Sequence, residues 1–266
     1  SQQLDRARGS MAGLAIGDAL GRPVEGMSYQ DIRAKYGAID DFVNLEPAGS
    51  DDTEYALLTA AALLQFGINI TAEDFASVWK SKVCTQTAAF LGAGFSEMNA
   101  IQNLKIGLMP PFSGQHNHAW SDGLAMRVAP IGVLANGDIA AAKRMAIADG
   151  EVSHSGEGIH AGIAIAVAVT RGMAGKGYLE VYSDAVNSVP KDSWTYRTLV
   201  DAQNILNENV NESLFVNAEK LLDKVAQTKY FFADLAPEAV SLALASVLYG
   251  KGDFAKSLLF AVNLGR

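Results

Sequence analysis

Apolar residues recur along most of the chain at the three- and four-residue spacing that is typical of amphipathic helices. The first such stretch covers residues 4–20, and the most apolar run covers residues 158–170. The alternation expected for a β-strand is scarce, with residues 39–43 as the only candidate. No repeat of fixed period and no linker divides the chain. The pattern therefore predicts an all-α fold, with one compact multi-helix domain over residues 1–266.

Capping residues and glycines mark where the predicted helices begin and end. Ser28 with Asp31 and Thr71 with Asp74 resemble helix caps, and Pro237 suits a first helical position. We expect an interruption near residues 92–94. The predicted helices cover residues 4–20, 28–36, 52–66, 71–79, 85–106, 125–134, 138–149, 158–170, 177–189, 192–209, 212–229, 237–250 and a last segment capped by Asp253.

Two polar loops separate helices in the middle of the chain. Residues 107–123 form the longest irregular stretch, which contains prolines, histidines and a tryptophan. Loops of this length inside a compact domain are usually functional or disordered, and the aromatic and histidine content favours function. The second loop covers residues 150–158. We expect the two loops to flank one pocket, with Asp122 and His154 facing it.

Composition and charge narrow the class of protein. Of the 266 residues 49% are hydrophobic, which is enough for a sizeable core, and the net charge of −8 argues against non-specific nucleic-acid binding. The single cysteine, Cys84, excludes an internal disulfide and a cysteine-based zinc site. No signal peptide is visible, and the most apolar run is shorter than the roughly 20 residues that a membrane span requires. We therefore expect a cytoplasmic protein that does not bind membranes.

The most informative polar stretch opens the predicted helix at residues 52–66. Ser50, Asp51 and Asp52 stand directly before its apolar, alanine-rich body. Ser50 can cap the helix, and acidic residues favour the positive end of the helix dipole. A hydroxyl and two carboxylates are also the hard oxygen ligands that Mg²⁺ or Mn²⁺ prefers. Taken alone, the stretch is more typical of an acidic helix N-terminus with no further role, because capping signatures are common.

Other polar residues have plain structural interpretations. Asp18 is expected to hydrogen-bond its own loop, since aspartate favours turns and caps. Glu25 by itself is typical of a solvated loop acid. Arg127 either binds a phosphate group or pairs with a neighbouring acid.

Four stretches together resemble the ADP-ribosylglycohydrolase family. They read GDALGRPVE at 17–25, SDDT at 50–53, SDGLAMRVAPIG at 121–132 and SHSGEGIHA at 153–161, in the order found in that family. The resemblance implies an all-α fold with a binuclear Mg²⁺ or Mn²⁺ centre in a cleft. It also implies hydrolysis of the bond between ADP-ribose and an acceptor.

The resemblance assigns the metal and catalytic residues. It implies that Ser50, Asp51 and Asp52 supply one half of the metal shell, with serine where threonine is usual. Glu25 matches a loop glutamate near the metal and the scissile bond. Glu25 and Asp52 are therefore the expected catalytic residues, and a carboxylate such as Glu25 can take the proton of the attacking water.

The same resemblance assigns residues to the ADP-ribose. Asp122 and Gly123 match a ligand-binding loop in which asparagine is usual before the glycine, and His154 matches a histidine near the ADP-ribose. Trp120 is an expected aromatic neighbour by its position in the loop. The backbone N–H groups of the loops at Gly114 and Gly123 are expected to donate to the diphosphate.

The resulting hypothesis is a metal-dependent hydrolase that acts on an ADP-ribosylated protein or a small ADP-ribose conjugate. One alternative is a catalytically silent relative that keeps the fold and binds ADP-ribose. Another is a hydrolase of a different N-glycoside that uses the same centre. The acceptor group and the oligomeric state stay open at this point.

The last stretch of the chain, GDFAKSLLFAVNLGR at 252–266, resembles the segment that leads into an Asp-x-Asp-Thr motif in this family. That motif supplies the other half of the metal shell, and no other Asp-x-Asp-Thr occurs in the 266 residues. The expectation from the sequence is an incomplete metal site in this form, with weak metal binding, little activity and exposed apolar surface near the final helix.

Overall fold

The computed structural model describes residues 1–86, 90, 92–226 and 234–266. Within these residues the chain forms fourteen α-helices and no β-sheet, which confirms the all-α prediction. The helices are α1 (Gln2–Gly21), α2 (Tyr29–Tyr36), α3 (Asp51–Phe66), α4 (Ala72–Lys82), α5 (Phe95–Lys105), α6 (Gly123–Arg127), α7 (Ala129–Ala135), α8 (Ile139–Ser153), α9 (Glu157–Met173), α10 (Tyr178–Asn187), α11 (Trp194–Glu208), α12 (Leu214–Val225), α13 (Ala236–Gly250) and α14 (Phe254–Val262).

Helix α9 lies at the centre of the fold. It packs against α6, α7, α8, α10 and α13. Most of its residues are small, and Ala161, Ala164, Ala166 and Val167 are fully buried. A helix with small apolar residues on several faces can be surrounded by neighbours, because the backbones can approach closely. The most apolar run of the sequence is therefore the core helix that its pattern predicts.

The predicted caps are present where the sequence places them. The Ser28 side chain accepts from the Asp31 amide, and Thr71 forms a full capping box with Asp74. The Asp253 side chain accepts from the amide of Lys256 at the start of α14. These contacts depend only on residues three positions apart, which is why the sequence predicts them.

Two helix predictions are wrong in their extent. The predicted helix at 85–106 is helical only from Phe95 to Lys105 among the described residues, with Gly94 at its N-cap, and residues 87–89 and 91 lie outside that description. The predicted helix at 125–134 is divided into α6 and α7 at Val128. Pro130 causes the division, because its ring excludes the preceding turn and it has no amide hydrogen to donate.

Three smaller predictions also differ from the structure. Helix α8 continues to Ser153 and α9 begins at Glu157, so the predicted loop at 150–158 is reduced to residues 154–156. Helix α12 ends at Val225, and residues 227–229 of the predicted helix lie outside the described residues. The candidate strand at 39–43 is not a strand. The Asn263 side chain bonds both backbone groups of Ile39, at 2.8 Å each, and so replaces a strand partner.

A second, smaller apolar cluster lies beside the main core. It joins the end of α1, helix α2 and helix α14 through Leu20, Val24, Ile32, Ile39 and Val262. This cluster fixes the turn after α1 against α14, and the turn carries Glu25. None of the described helices combines the length and the apolar character that crossing a bilayer requires.

Candidate active site

A cavity of about 350 Å³ opens where the end of α1, the start of α3 and the start of α6 meet the chain that enters α13. Five carboxylates line it, together with two guanidinium groups. The lining residues are Leu14, Gly17, Asp18, Gly21, Arg22, Glu25, Ser50, Asp52, Asp122, Met126, Asp234 and Arg266. The structure therefore brings together Glu25, Ser50, Asp52 and Asp122, which come from three separate stretches of the sequence.

The start of α3 is held by a residue of α1. The Asp18 carboxylate accepts from the Ser50 and Thr53 amides at 2.7 and 3.1 Å, and from their hydroxyls at 2.6 and 2.5 Å. Ser50 occupies the N-cap position, as predicted, but its own hydroxyl does not accept from the α3 backbone. The expectation that Asp18 bonds only within its own loop is wrong, because its carboxylate caps a different helix.

An antiparallel bridge between Ser121 and Leu235 places the neighbouring acids Asp122 and Asp234 at the cavity. Ser121 pairs with Leu235, the Asp122 amide donates to the Asp234 carbonyl at 2.9 Å, and the Ala236 amide donates to the Trp120 carbonyl at 2.9 Å. These bonds place Asp122 beside Asp234, although the two residues lie far apart in the sequence. The first turn of α13 begins directly after the bridge.

Burial and mutual repulsion shift four of the five cavity carboxyl groups toward their protonated forms, Asp18 being the exception. Burial and the charges of Asp18 and Asp51 raise the pKa of Asp52 to about 7. Burial, Asp234 and Asp52 raise the pKa of Asp122 well above its ordinary value. Such groups favour a cation in their midst, because a cation offsets the repulsion that otherwise protonates them.

Glu25 and Asp18 differ in the direction of their shifts. Partial burial and the charges of Asp51, Asp234 and Asp18 raise the pKa of Glu25. Burial also acts to raise the pKa of Asp18, but the hydrogen bonds from Ser50 and Thr53 outweigh it and lower that pKa. Asp18 is thus the member of the cluster that is held as a carboxylate by donors.

Asp51 is not among the residues that line the cavity, although its charge acts on Glu25 and Asp52. It is half-buried next to Gly92, where an added Cβ would come within 3.6 Å of the Asp51 Cβ. In the part of the chain that the structure describes, no three acidic, histidine or cysteine side chains form a ready metal-holding group. The donor types at the cavity fit a hard divalent cation, since they are carboxylates and a hydroxyl. A cation would complete its shell with further oxygen donors.

A buried ionic network lies behind the cavity. Arg127 is fully buried, and its guanidinium makes three bonds of 3.0–3.2 Å to the Asp149 carboxylate. It also lies 3.4 Å from Glu97 Oε1 and donates to Ser153 Oγ at 2.8 Å. Of the two interpretations of Arg127, pairing with acids is the one that the structure shows.

His154 belongs to this buried network and does not line the cavity. It is 1% exposed, and its two ring nitrogens lie 3.0 Å from Ser121 Oγ and 2.7 Å from Ser153 Oγ. Burial and the Arg127 charge lower the pKa of His154 well below its ordinary value. The prediction that His154 faces the pocket is wrong, because α8 extends to Ser153 and draws the ring inward.

The two glycines predicted to donate to a diphosphate already have partners. The Gly114 amide donates to the Pro111 carbonyl at 3.1 Å, and the Gly123 amide donates to Ser121 Oγ at 3.4 Å. A Cβ at Gly114 would lie 2.5 Å from the His154 carbonyl oxygen. These glycines therefore permit close packing, which corrects the predicted role of their N–H groups.

Trp120 lies near the end of the first loop and next to Gly156 of the second, where an added Cβ would come within 3.0 Å of the Trp120 ring nitrogen. Its ring is 45% exposed and packs edge-on against Trp194, with 6.1 Å between the ring centroids. It is not among the residues that line the cavity. An exposed aromatic face two residues from Asp122 can still stack on a planar group that extends out of the cavity.

Sequence reasoning missed Asp234, Glu97 and Asp149. Asp234 stands just before the predicted start of α13, where an acid resembles an ordinary helix cap. Glu97 and Asp149 lie inside helices at buried positions, and an acid in such a position carries no local signal of its partner.

Comparison with known proteins gives one consistent result. The profile described as ADP-ribosylglycohydrolase matches residues 1–266. An uncharacterized protein from Archaeoglobus fulgidus (strain ATCC 49558 / DSM 4304 / JCM 9628 / NBRC 100126 / VC-16) is 30% identical over 271 residues, which cover 98% of this chain and 82% of the relative. A solved structure titled "ADP-ribosylglycohydrolase-related protein complex" is similar, with a TM-score of 0.64 at 22% identity over 99% of this chain and 82% of that one. At this identity the solved structure supports the fold alone.

Proposed function

Since the chain belongs to the ADP-ribosylglycohydrolase family, we propose that it hydrolyses the glycosidic bond between ADP-ribose and an acceptor on a protein side chain or a small molecule. The observation that carries the proposal is the convergence of Asp18, Glu25, Ser50, Asp52 and Asp122 on one cavity. These residues come from three of the four stretches that resemble the family. A cavity rich in carboxylates suits a reaction that develops positive charge on a sugar carbon.

A Mg²⁺ or Mn²⁺ centre is part of the proposal. Ser50 and Asp52 would hold the cation from the start of α3, with the neighbouring Asp51 beside them, and Asp122 and Asp234 offer further oxygens in the same cavity. When bound, such a cation supplies positive charge that orients sugar hydroxyl groups and polarises water. The raised pKa values of Asp52 and Asp122 support the assignment, because burial and neighbouring carboxylates disfavour their charged forms and a bound cation would offset that cost.

Glu25 is the residue that we assign to proton transfer. It lines the cavity from the turn after α1, a turn that the small apolar cluster fixes in place. Its raised pKa brings the carboxylate closer to the range in which it can both accept and release a proton. Asp122 is proposed to position the ribose, and the exposed Trp120 ring is proposed to stack on the adenine.

Release of free ADP-ribose from defined conjugates, measured with added Mg²⁺ or Mn²⁺ and after chelation, tests the proposal. We expect hydrolysis that depends on the divalent cation. Glu25→Gln should keep ADP-ribose binding and lower turnover by about 10²–10⁴-fold, since a general base is removed. The control is Glu208→Gln, an exposed glutamate at the end of α11. Near-normal turnover in Glu25→Gln at saturating cation would remove Glu25 from catalysis.

One observation favours a second candidate, a catalytically silent protein that binds ADP-ribose. Within the described residues the acidic side chains form no ready metal-holding group. Calorimetric titration with ADP-ribose, combined with the assay for ADP-ribose release, separates the two candidates. Binding without release of ADP-ribose from any conjugate in the panel would favour the silent protein.

A further inference from the structure

The start of α3 is capped differently from the other described helices that have serine at the N-cap position. At Ser1, Ser28, Ser193 and Ser213 the cap hydroxyl itself accepts from the third amide of the helix. At α3 the third amide, that of Thr53, donates to Asp18 Oδ2 instead, at 3.1 Å. The Asp18 carboxylate on α1 therefore accepts the hydrogen bond that an N-cap serine usually accepts, and the Ser50 hydroxyl makes no bond to the α3 backbone.

The hydrogen-bond geometry also fixes the proton of the Ser50 hydroxyl. A carboxylate can only accept, so the 2.6 Å contact between Ser50 Oγ and Asp18 Oδ1 needs the hydroxyl proton. The contact from Ser50 Oγ to Asp52 Oδ2 is longer, at 3.2 Å. Because the hydroxyl has one proton, the shorter contact takes it, and the oxygen lone pairs remain for a partner beside Asp52.

We propose that Asp18 is a positioning residue, which holds the proton of the Ser50 hydroxyl away from the cavity so that its oxygen and Asp52 can bind a divalent cation together. The proposal rests on the function proposed above, since it needs a cation at this cavity. Asp18 itself is saturated by four donors from Ser50 and Thr53, so it acts through Ser50.

Asp18→Asn is the informative change, because asparagine has the same shape and one acceptor oxygen fewer. The remaining oxygen can serve the Ser50 and Thr53 amides, which leaves the side-chain NH₂ facing Ser50 Oγ. That NH₂ donates to the oxygen, occupies a lone pair and turns the hydroxyl proton toward the cavity. Removing a partner of a metal-binding group typically weakens metal affinity by about 10–100-fold.

Mn²⁺ titration calorimetry on the wild type, Asp18→Asn, Ser50→Ala and the double variant tests the proposal. We expect about 10–100-fold weaker Mn²⁺ binding in Asp18→Asn and a change of under about 3-fold when Asp18→Asn is added to Ser50→Ala. The matched control is Asp138→Asn, which removes the charge of the capping side chain of α8 while asparagine can still cap the helix, and which should leave Mn²⁺ affinity unchanged. A loss of the same factor in both backgrounds, or none in Asp18→Asn, would overturn the proposal.

If Asp18→Asn does not fold, Ser50→Ala and Thr53→Val provide the test. Thr53→Val removes one bond to Asp18 and leaves the Ser50 contact intact, so it should keep Mn²⁺ affinity while Ser50→Ala loses it. The reverse order would overturn the role of the Ser50 hydroxyl. A wild type that binds no Mn²⁺ would overturn the metal-dependent function and this proposal together. Normal Mn²⁺ results without any hydrolysis would overturn the proposed function and support the positioning role alone.

Discussion

Gly123 shows at the residue scale how closely the cavity and the buried network are joined. A Cβ atom built on Gly123 would lie 1.7 Å from Glu97 Oε1 and 2.4 Å from Glu97 Cδ. Both distances are far too short for non-bonded atoms. The Glu97 carboxylate lies against Arg127 and Gly123, so it has little freedom to withdraw. Glycine at 123 is therefore a packing requirement, which gives this residue a physical role other than donation to a ligand.

We expect Gly123→Ala to lower the free energy of unfolding by about 1–3 kcal/mol, which is the usual cost of overpacking. Urea denaturation at neutral pH measures it. Gly9→Ala is the control, because Gly9 lies in α1 with no atom within 4 Å of an added Cβ. That change should raise stability by about 0.5–1 kcal/mol, as alanine suits a helix better than glycine. Equal effects of the two changes would show that Glu97 moves freely.

Glu157 joins two helices at the element scale. It lies in the first turn of α9, and its carboxylate accepts from the Trp194 and Thr195 amides at 2.8 and 3.0 Å and from the Thr195 hydroxyl at 2.7 Å. Those amides open α11, so one carboxylate serves the N-termini of two helices. Burial acts to raise the pKa of Glu157, but the hydrogen bonds from His160, Thr195 and Trp194 outweigh it and lower the pKa to about 2.

The lowered pKa predicts a pH-dependent contribution to stability. The contribution is present above the ordinary glutamate pKa of 4.5 and is lost as the pH falls toward about 2, because the unfolded chain binds the proton first. Glu157→Gln should therefore lower thermal stability at pH 7, and its difference from the wild type should shrink between about pH 5 and pH 2. The exposed Glu208→Gln serves as the control. A difference that stays constant with pH would contradict the role of the charge.

Arg127 organises the interior at the scale of the whole molecule. Its guanidinium contacts Glu97 of α5 and Asp149 of α8, and it lies 4.9 Å from the centre of the Trp79 ring of α4. Each of these side chains is buried. A buried ion pair adds little over apolar packing, but removal of one partner leaves uncompensated charge.

Arg127→Leu should lower the free energy of unfolding by about 3–5 kcal/mol, because two buried carboxylates lose their cation. Arg33→Leu is the matched control, since Arg33 pairs with Glu219 while both side chains stay about half exposed. That surface pair should contribute at most about 1 kcal/mol. Chemical denaturation of both variants gives the comparison. A small effect in Arg127→Leu would mean that Glu97 and Asp149 become neutral at little cost.

The sequence by itself determined the helical class, most helices and four of the residues that line the cavity. Apolar periodicity and caps act over three or four positions, so the sequence shows α1, α4, α9 and α14 directly. The motif stretches predict Glu25, Ser50, Asp52 and Asp122 as site residues, and all four line the cavity. The prediction of one helix over residues 125–134 failed because it left out the local break that Pro130 causes. The predicted end of α8 failed because the helix continues past Gly150.

Only the tertiary structure decided which groups meet. Asp18 reaches Ser50 across 32 positions, and Arg127 reaches Asp149 across 22. The bridge between Ser121 and Leu235 places Asp234 at the cavity. No local pattern encodes such pairings, because each depends on how distant helices pack and on which charges burial forces together. For the same reason the inward position of His154 followed only from the path of α8 and the buried partners around its ring.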